Sequence, residues 1–148
     1  MLDNATAEKM DTISQDQLDA LVELHNRFLS ARIGGRRAAL KNTDLSGLSL
    51  KGKDLRQASF MGCPMREMNL SQANFQEASL YACDLSYSNL DDTNFVRSDL
   101  RGAKIENASL EGADLEKADL RIGGFADEDN YNAGQPVNFR GANMAGAK

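Results

Sequence analysis

The 148-residue chain is poor in the side chains that most often perform chemistry in proteins, with one histidine and two cysteines. An enzyme needs a cluster of titratable groups held in a cleft. The single histidine, His25, falls on the apolar side of a predicted helix, and we interpret it as structural. Cys63 and Cys83 lack the spacing of zinc ligands, and no glycine-rich phosphate loop is found. We therefore predict no catalytic residue, no metal and no cofactor.

Long apolar runs are also missing, and the longest stretches are far too short to span a bilayer. The first thirteen residues are polar, contain three acids and do not follow the pattern of a signal or transit peptide. The composition therefore predicts a cytoplasmic protein without a membrane partner.

The net charge of −5 is unevenly distributed. Residues 38–57 contain four bases and two acids, whereas residues 78–97 contain one base and three acids. The predicted surface thus changes from mildly basic to mildly acidic along the chain. No basic stripe is present, and we expect no direct nucleic-acid binding.

A large apolar residue occupies every fifth position for seventeen consecutive cycles. A small residue lies two positions earlier in most cycles, and a turn-prone Asp or Asn often lies between the two. A period of five fits neither a helix nor a strand and indicates a repeat architecture. The large residues are Leu40, Leu45, Leu50, Leu55, Phe60, Met65, Leu70, Phe75, Leu80, Leu85, Leu90, Phe95, Leu100, Ile105, Leu110, Leu115 and Leu120.

If each five-residue segment turns the chain by about 90°, a coil closes after four segments, and coils stack as parallel strands at ~4.8 Å. The large residues then form four interior columns at twenty-residue intervals. One column is all leucine, and another places Phe75 directly below Phe95. Cys63 and Cys83 fall in adjacent coils in the small inward position, where we expect reduced, buried thiols.

The triplets Ala73-Asn74-Phe75, Ala113-Asp114-Leu115 and Ala118-Asp119-Leu120 resemble the A-(D/N)-L pattern of the pentapeptide repeat proteins. The resemblance covers residues 38–122 and resumes at 137–147. It implies an all-β solenoid, specifically a right-handed quadrilateral parallel β-helix.

The segments flanking the repeats complete the predicted organisation. A polar tail (1–13) precedes a capping helix and turn (14–35), with the helix itself over 14–33. The β-helix (36–122) is followed by an inserted loop (123–136) and resumed repeats (137–148). Ser14 and Gln17 form a predicted capping box, and Gly34-Gly35 is the predicted helix end. A helix that docks a partner or dimerises is the alternative to a cap.

Three outward-facing groups are candidate interaction surfaces, and an ordinary solvated surface is the alternative for each. An aligned strip has Met61 and Tyr81 as anchors, with Lys41, Arg101 and Arg121. An acidic patch contains Asp91, Asp92 and Glu111, with Glu106 around the corner. The inserted loop carries Asp127, Glu128, Asp129 and Tyr131, but it lacks the Gly and distal Glu of a calcium loop.

Two functions are consistent with a rigid repeat surface without chemistry. The first is a non-enzymatic scaffold that binds an unidentified protein. The second follows from the resemblance, because some family members mimic duplex DNA and inhibit or protect type II topoisomerases such as gyrase. We also expect a homodimer joined at the C-terminal coil, where Phe139 and Met144 continue the inward columns without a following cap.

Overall fold

The computed structural model describes residues 10–124 and 134–148. The elements in chain order are β1 (Asp11–Thr12), α1 (Gln15–Leu29), β2 (Ala39–Lys41), β3 (Thr43–Asp44) and β4 (Ser59–Met61). Strand β1 pairs in parallel with β3, and β2 pairs in parallel with β4. The predicted loop residues lie outside the described residues: Asp127, Glu128, Asp129 and Tyr131.

Beyond β4, the chain pairs through isolated parallel bridges between residues twenty positions apart. Ser49 pairs with Asn69, Asn69 with Asn89, and Asn89 with Ser109. The backbone bonds that join neighbouring coils are short, as in the 2.8 Å bond from the Leu70 N–H to the Asn89 carbonyl. A spacing of twenty with pairing every five residues confirms the predicted stacking of five-residue segments.

The predicted large residues fill the interior. From Leu45 to Leu110, each of them is at most 1% exposed. The Phe75 and Phe95 rings are stacked, with centroids 5.4 Å apart and planes 7° apart. Since burying such a side chain contributes roughly 1.5–3 kcal/mol, these columns are the main stabilising element of the fold.

Each five-residue segment ends in a turn with a left-handed residue two positions after the large one. Gln72 (φ 63), Glu77 (φ 59) and Arg97 (φ 56) are among the non-glycine residues that adopt this conformation, and glycine occupies the equivalent position in other segments, as Gly52 and Gly102 do. The Asp or Asn before the large residue accepts a hydrogen bond from the backbone two residues later, as Asn74 Oδ1 does from Gln76 N at 3.0 Å. These side chains therefore hold the corners, as the turn-prone pattern predicted.

The insertion does not disturb the stack. Lys104 pairs with Asn138 and Ser109 pairs with Asn143, so the parallel ladder resumes thirty-four residues further along the chain instead of twenty. An antiparallel bridge between Gly123 and Gln135 joins the two ends of the insertion. The resumed repeats thus complete the second and third sides of the fifth coil.

The N-terminal helix has the predicted start but a different end. The Ser14 hydroxyl accepts from Gln17 N–H at 3.1 Å, and Gln17 Oε1 accepts from Ser14 N–H at 2.9 Å, which makes a capping box. The helix ends at Leu29 rather than residue 33, because Ala31 is left-handed (φ 55) and Arg32 N–H bonds back to the Arg27 carbonyl at 2.8 Å. Ile33, the last residue of the predicted helix, lies outside α1 and is 99% exposed.

Over residues 10–124 and 134–148, no helix has both the length and the apolar character needed to cross a membrane.

Candidate interaction surfaces

Tyr81, a predicted anchor of the outward strip, fixes the base of the insertion. Its hydroxyl donates a hydrogen bond to the Gly124 carbonyl at 2.7 Å and accepts one from Gly124 N–H at 3.0 Å. The Arg101 guanidinium lies over the Tyr81 ring, 5.0 Å from its centroid. Tyr81 therefore supports the base of the insertion, whereas Met61, the other predicted anchor, is half-buried.

The base of the insertion packs directly on the backbone of the fourth coil. A Cβ atom on Gly102 would lie 2.5 Å from the Gly123 carbonyl carbon, and a Cβ on Gly123 would lie 2.7 Å from the Arg101 carbonyl carbon. Glycine is therefore required at both positions. A cavity of about 280 Å³ remains beside this contact, bordered by Asp84, Lys104 and Gln135 among others.

The same side carries a ladder of paired charges. Arg101 binds Asp99 through two hydrogen bonds of 2.9 and 2.8 Å, and Arg121 binds Asp119 in the same way at 2.9 and 2.8 Å. Arg101 Nε also lies 3.7 Å from Asp119 Oδ2. The hydrogen bond from Arg121 lowers the pKa of Asp119 to about 2, and the bond to Asp99 raises the pKa of Arg101. Both arginines are therefore paired with carboxylates on this side of the molecule.

The predicted acidic patch takes part in the contacts between coils. The Asp91 carboxylate accepts from the Ser109 hydroxyl and, at 3.0 Å, from Glu111 N–H in the next coil. Glu111 in turn accepts from Asn143 Nδ2 at 2.9 Å. Around the corner, Glu106 accepts from Asn138 Nδ2 at 2.7 Å. Three of these four acids thus bond to other coils, and the fourth, Asp92, places its carboxylate against Gly112.

The first coil is contacted by polar side chains of α1. Ser49 N–H donates to Gln15 Oε1 at 2.8 Å, and Gln15 Nε2 donates to the Ser49 carbonyl at 2.9 Å. His25 is fully buried; its Nδ1 accepts from Ala38 N–H at 2.9 Å and its Nε2 lies 2.8 Å from the Arg56 carbonyl. Because Nδ1 accepts, the ring proton is on Nε2, which donates to that carbonyl. His25 therefore has the structural role that the sequence indicated.

The last coil has no such cover within the described residues. Leu120 is 42% exposed, Met144 is 39% exposed and Ile122 is 67% exposed, while Phe139 is half-buried. Phe139 and Met144 lie above Ile105 and Leu110, because their neighbours Asn138 and Asn143 pair with Lys104 and Ser109. The predicted dimer end is thus an apolar surface in continuity with the core.

The two cysteines are buried and unbridged, and the Cys83 thiol donates to the Phe60 carbonyl. Burial raises the pKa of the Cys83 thiol well above its usual value. Among the described residues, no group of three or more His, Cys, Asp or Glu side chains is arranged to hold a metal ion.

Sequence reasoning missed the bonds of Gln15 and of the Tyr81 hydroxyl, and it missed strand β1. Gln15 is an ordinary polar residue in a first helical turn, and Asp11 and Thr12 carry no strand pattern. Tyr81 gave a partial signal, since it is one of three tyrosines in the chain and lies at an outward position.

Residues 36–114 match the family described as the pentapeptide repeat region. The chain belongs to the pentapeptide repeat family. Proteins of this family form right-handed quadrilateral β-helices, and parallel pairing at twenty-residue intervals is the pattern that such a coil produces. A comparison with proteins of curated function gave no match.

Several solved structures are similar. A pentapeptide repeat protein of the Arabidopsis thaliana thylakoid lumen has 24% identity and a TM-score of 0.46, and the match covers 76% of this chain and 66% of that one. A pentapeptide repeat protein from Nostoc PCC 7120 has 23% identity and a TM-score of 0.40, with 95% and 100% covered. QnrB1, a plasmid-mediated fluoroquinolone resistance protein, has 18% identity and a TM-score of 0.37, with 93% and 55% covered. The chain thus spans less than two thirds of the Arabidopsis protein and of QnrB1.

Proposed function

We propose that this protein is a non-enzymatic scaffold that binds a protein partner in the cytoplasm. Pentapeptide repeat proteins are generally non-catalytic structural or interaction proteins. The proposed contact region consists of Met61, Tyr81 and Arg101 in the strip and the loop residues from Asp127 to Tyr131.

The observation that carries the proposal is the way the insertion is attached. Two hydrogen bonds between the Tyr81 hydroxyl and the backbone of Gly124, one donated and one accepted by the hydroxyl, hold the base of the insertion, and Gly123 packs on the backbone of the fourth coil. The regular stack needs none of these contacts, since it resumes at Asn138 in unchanged register. Surface loops on a rigid framework are common binding elements, and this insertion is fastened at its base.

The test is affinity capture from the source cell, followed by reconstitution of the captured protein with purified components. A chain in which residues 125–133 are replaced by a short glycine-serine link should lose the partner and keep its melting temperature. Glu116→Lys, on an exposed part of another side, is the matched control and should retain the partner. Equal capture by the loop-replaced chain and the wild type would disprove the contact region.

We further propose that α1 caps the first coil of a right-handed quadrilateral β-helix. Its buried side chains, Leu18, Val22 and His25, cover the first coil, and Gln15 and His25 bond to backbone groups there. Strand β1 covers the same end beside β3. Deletion of residues 1–33 should therefore cause aggregation or a higher oligomer, and a soluble variant of unchanged mass and melting temperature would contradict the cap.

DNA mimicry toward a type II topoisomerase is the second candidate, and charge counts against it. Four and a quarter coils make roughly 20 Å of rod at ~4.8 Å per coil, a length over which duplex DNA carries about twelve negative charges. Residues 38–120 sum to only −4. Supercoiling by purified gyrase should thus be unaffected by micromolar protein, and inhibition or protection from a gyrase poison would favour the mimic instead.

We also propose that two copies associate through the C-terminal coil. Phe139 and Met144 continue the interior columns into an exposed apolar surface that also includes Leu120. Burying such a surface against a second copy would satisfy its strand edges as well. Light scattering should report a dimer that Phe139→Asp with Met144→Asp dissociates. A monomer at high micromolar wild-type concentration, or a dimer that survives the double substitution, would rule out this interface.

A further inference from the structure

The turn that follows α1 carries a concentration of positive charge. Between Leu24 and Thr43 the sequence contains five basic residues and no acid. Residues 84–120, in contrast, contain nine acids and four bases. The positive charge is therefore concentrated locally in the turn between α1 and the first coil, whereas α1 itself also carries Asp16, Asp19 and Glu23.

This turn is held in one conformation by backbone contacts. Arg36 N–H donates to the Leu24 carbonyl at 3.0 Å, and Gly35 N–H donates to the Arg32 carbonyl at 3.2 Å. A Cβ on Gly35 would lie 2.6 Å from the Arg27 carbonyl carbon, so the turn packs tightly on the last turn of the helix. The backbone that carries the basic side chains thus lies against the end of α1.

An isoleucine lies at the tip of this turn. Ile33 is 99% exposed, more than any other large apolar side chain among the described residues, and Phe28 at the end of the helix is 38% exposed. A single exposed apolar residue is common on proteins. This one is unusual in its position, because Arg32 precedes it directly and Arg36 lies three residues later in the same turn. We define Phe28, Arg32, Ile33, Arg36 and Arg37 as the basic apex.

The cations of the basic apex are available for a partner. Within the described part of the chain, no carboxylate forms an ion pair with Arg32, Arg36 or Arg37; the pairs of this region are Arg27 with Glu23 and Arg56 with Asp54. Arg37 donates through Nε to the Gln57 carbonyl at 2.7 Å. Arg32 and Arg36 are exposed on both sides of Ile33.

We propose that the basic apex binds the surface of an anionic phospholipid bilayer. Arginines attract negatively charged headgroups, while Ile33 and Phe28 enter the boundary between headgroups and acyl chains. A projecting apolar tip suits a deformable lipid surface, whereas a protein partner would need a matching pocket. The sequence-based expectation of no membrane partner rested on the lack of a long apolar run, which concerns spanning and not surface contact.

The test is co-sedimentation of the full chain with vesicles. Wild-type protein should sediment with vesicles of phosphatidylcholine mixed with phosphatidylglycerol and not with phosphatidylcholine alone. Arg32→Glu with Arg36→Glu should reduce partition more than about tenfold, since each basic residue near an anionic surface contributes about fivefold. Ile33→Ser should reduce it about fivefold, because less apolar surface enters the bilayer.

Ile122→Ser is the matched control, because Ile122 is 67% exposed and follows an arginine at the other end of the molecule. It should leave vesicle binding unchanged, and all variants should keep the wild-type melting temperature. The proposal is overturned if wild-type protein ignores the anionic vesicles, or if Ile33→Ser and Ile122→Ser weaken binding equally. Sensitivity of duplex DNA binding, instead of vesicle binding, to Arg32→Glu with Arg36→Glu would overturn it in favour of a nucleic-acid partner.

Discussion

The two ends of the coil stack present the same kind of strand edge, but side chains of α1 contact the edge at the first coil and the apolar residues of the last coil remain exposed. At the first coil, a buried imidazole and a side-chain amide bond to the backbone of Ala38, Ser49 and Arg56. At the fifth coil, Leu120 and Met144 remain about two-fifths exposed. If α1 is the cap that we propose, the comparison teaches that a parallel strand edge can be closed without another coil by a helix that supplies both polar side chains and an apolar face.

The largest difference in folding stability should come from an aspartate placed at each end of the coil stack. Leu18 is 1% exposed in the contact between α1 and the first coil, so Leu18→Asp should destabilise the protein by about 3–5 kcal/mol or prevent folding. Met144→Asp at the other end should cost less than about 1 kcal/mol, because its side chain already reaches water. Urea unfolding of both variants, at a concentration where the chain is monomeric, measures the difference. Similar losses would show that the ends are equally closed.

Removal of the imidazole should have the next largest effect. His25→Ala deletes two hydrogen bonds to backbone groups and leaves a cavity, and we expect a loss of about 2–4 kcal/mol. Phe28→Ala, three residues later on the more exposed side of α1, should cost clearly less. Thermal unfolding followed by circular dichroism gives both values, and a loss for His25→Ala no larger than that for Phe28→Ala would contradict its role at the strand edge.

Gln15→Ala should produce a smaller change. It removes the two bonds to Ser49 in a half-buried setting, which corresponds to about 1–2 kcal/mol. Hydrogen exchange at Ser49 N–H should rise with it, because that group would lose its acceptor. Asp16→Ala, in the same helical turn but exposed, is the control for helix stability alone. If exchange at Ser49 is equally fast in both variants, Gln15 does not protect the edge.

The smallest effect concerns the paired charges, which both ends possess. Arg121 lowers the pKa of Asp119 to about 2, and Arg56 lowers the pKa of Asp54 by the same kind of hydrogen bond. A lowered pKa means that the charged carboxylate is favoured in the folded protein. The resulting stabilisation is present above the ordinary value of 3.8 and is lost as the pH falls through about 2.

Arg121→Gln should therefore raise the pKa of Asp119 toward 3.8 and leave Asp54 unchanged. Carboxyl carbon chemical shifts recorded between pH 5 and pH 2, a range chosen to include both pKa values, follow the two residues separately. An unchanged Asp119 titration in the variant would mean that the ion pair does not form in solution.

The interior was predictable from the sequence because a period of five fixes which side chains point inward. Leu90 and Phe95 lie where the period places them, and Asn89 and Asn94, which precede them, form the corner bonds. The end of α1 was not predictable in the same way, because Ile33 continues the apolar spacing although Ala31 has already left the helical conformation.

The candidate site was less predictable than the interior. Outward alignment grouped Asp91 with Glu111, but their bonds to Ser109 and Asn143 depend on the separation of neighbouring coils and not on the period. The link from Tyr81 to Gly124 joins residues forty-three positions apart. No regular spacing relates them, so only the folded chain brings them together.

The resumption of pairing at thirty-four instead of twenty residues has a consequence for folding and for evolution. Lengthening a closed loop from twenty to thirty-four residues costs only about 0.5 kcal/mol of chain entropy, since the cost grows with the logarithm of length. A corner of the coil can therefore accept a segment of foreign sequence with little thermodynamic penalty and no shift in register. The entropic cost of an insertion should be equally small at other outward corners, so this chain is suited to accept grafted loops.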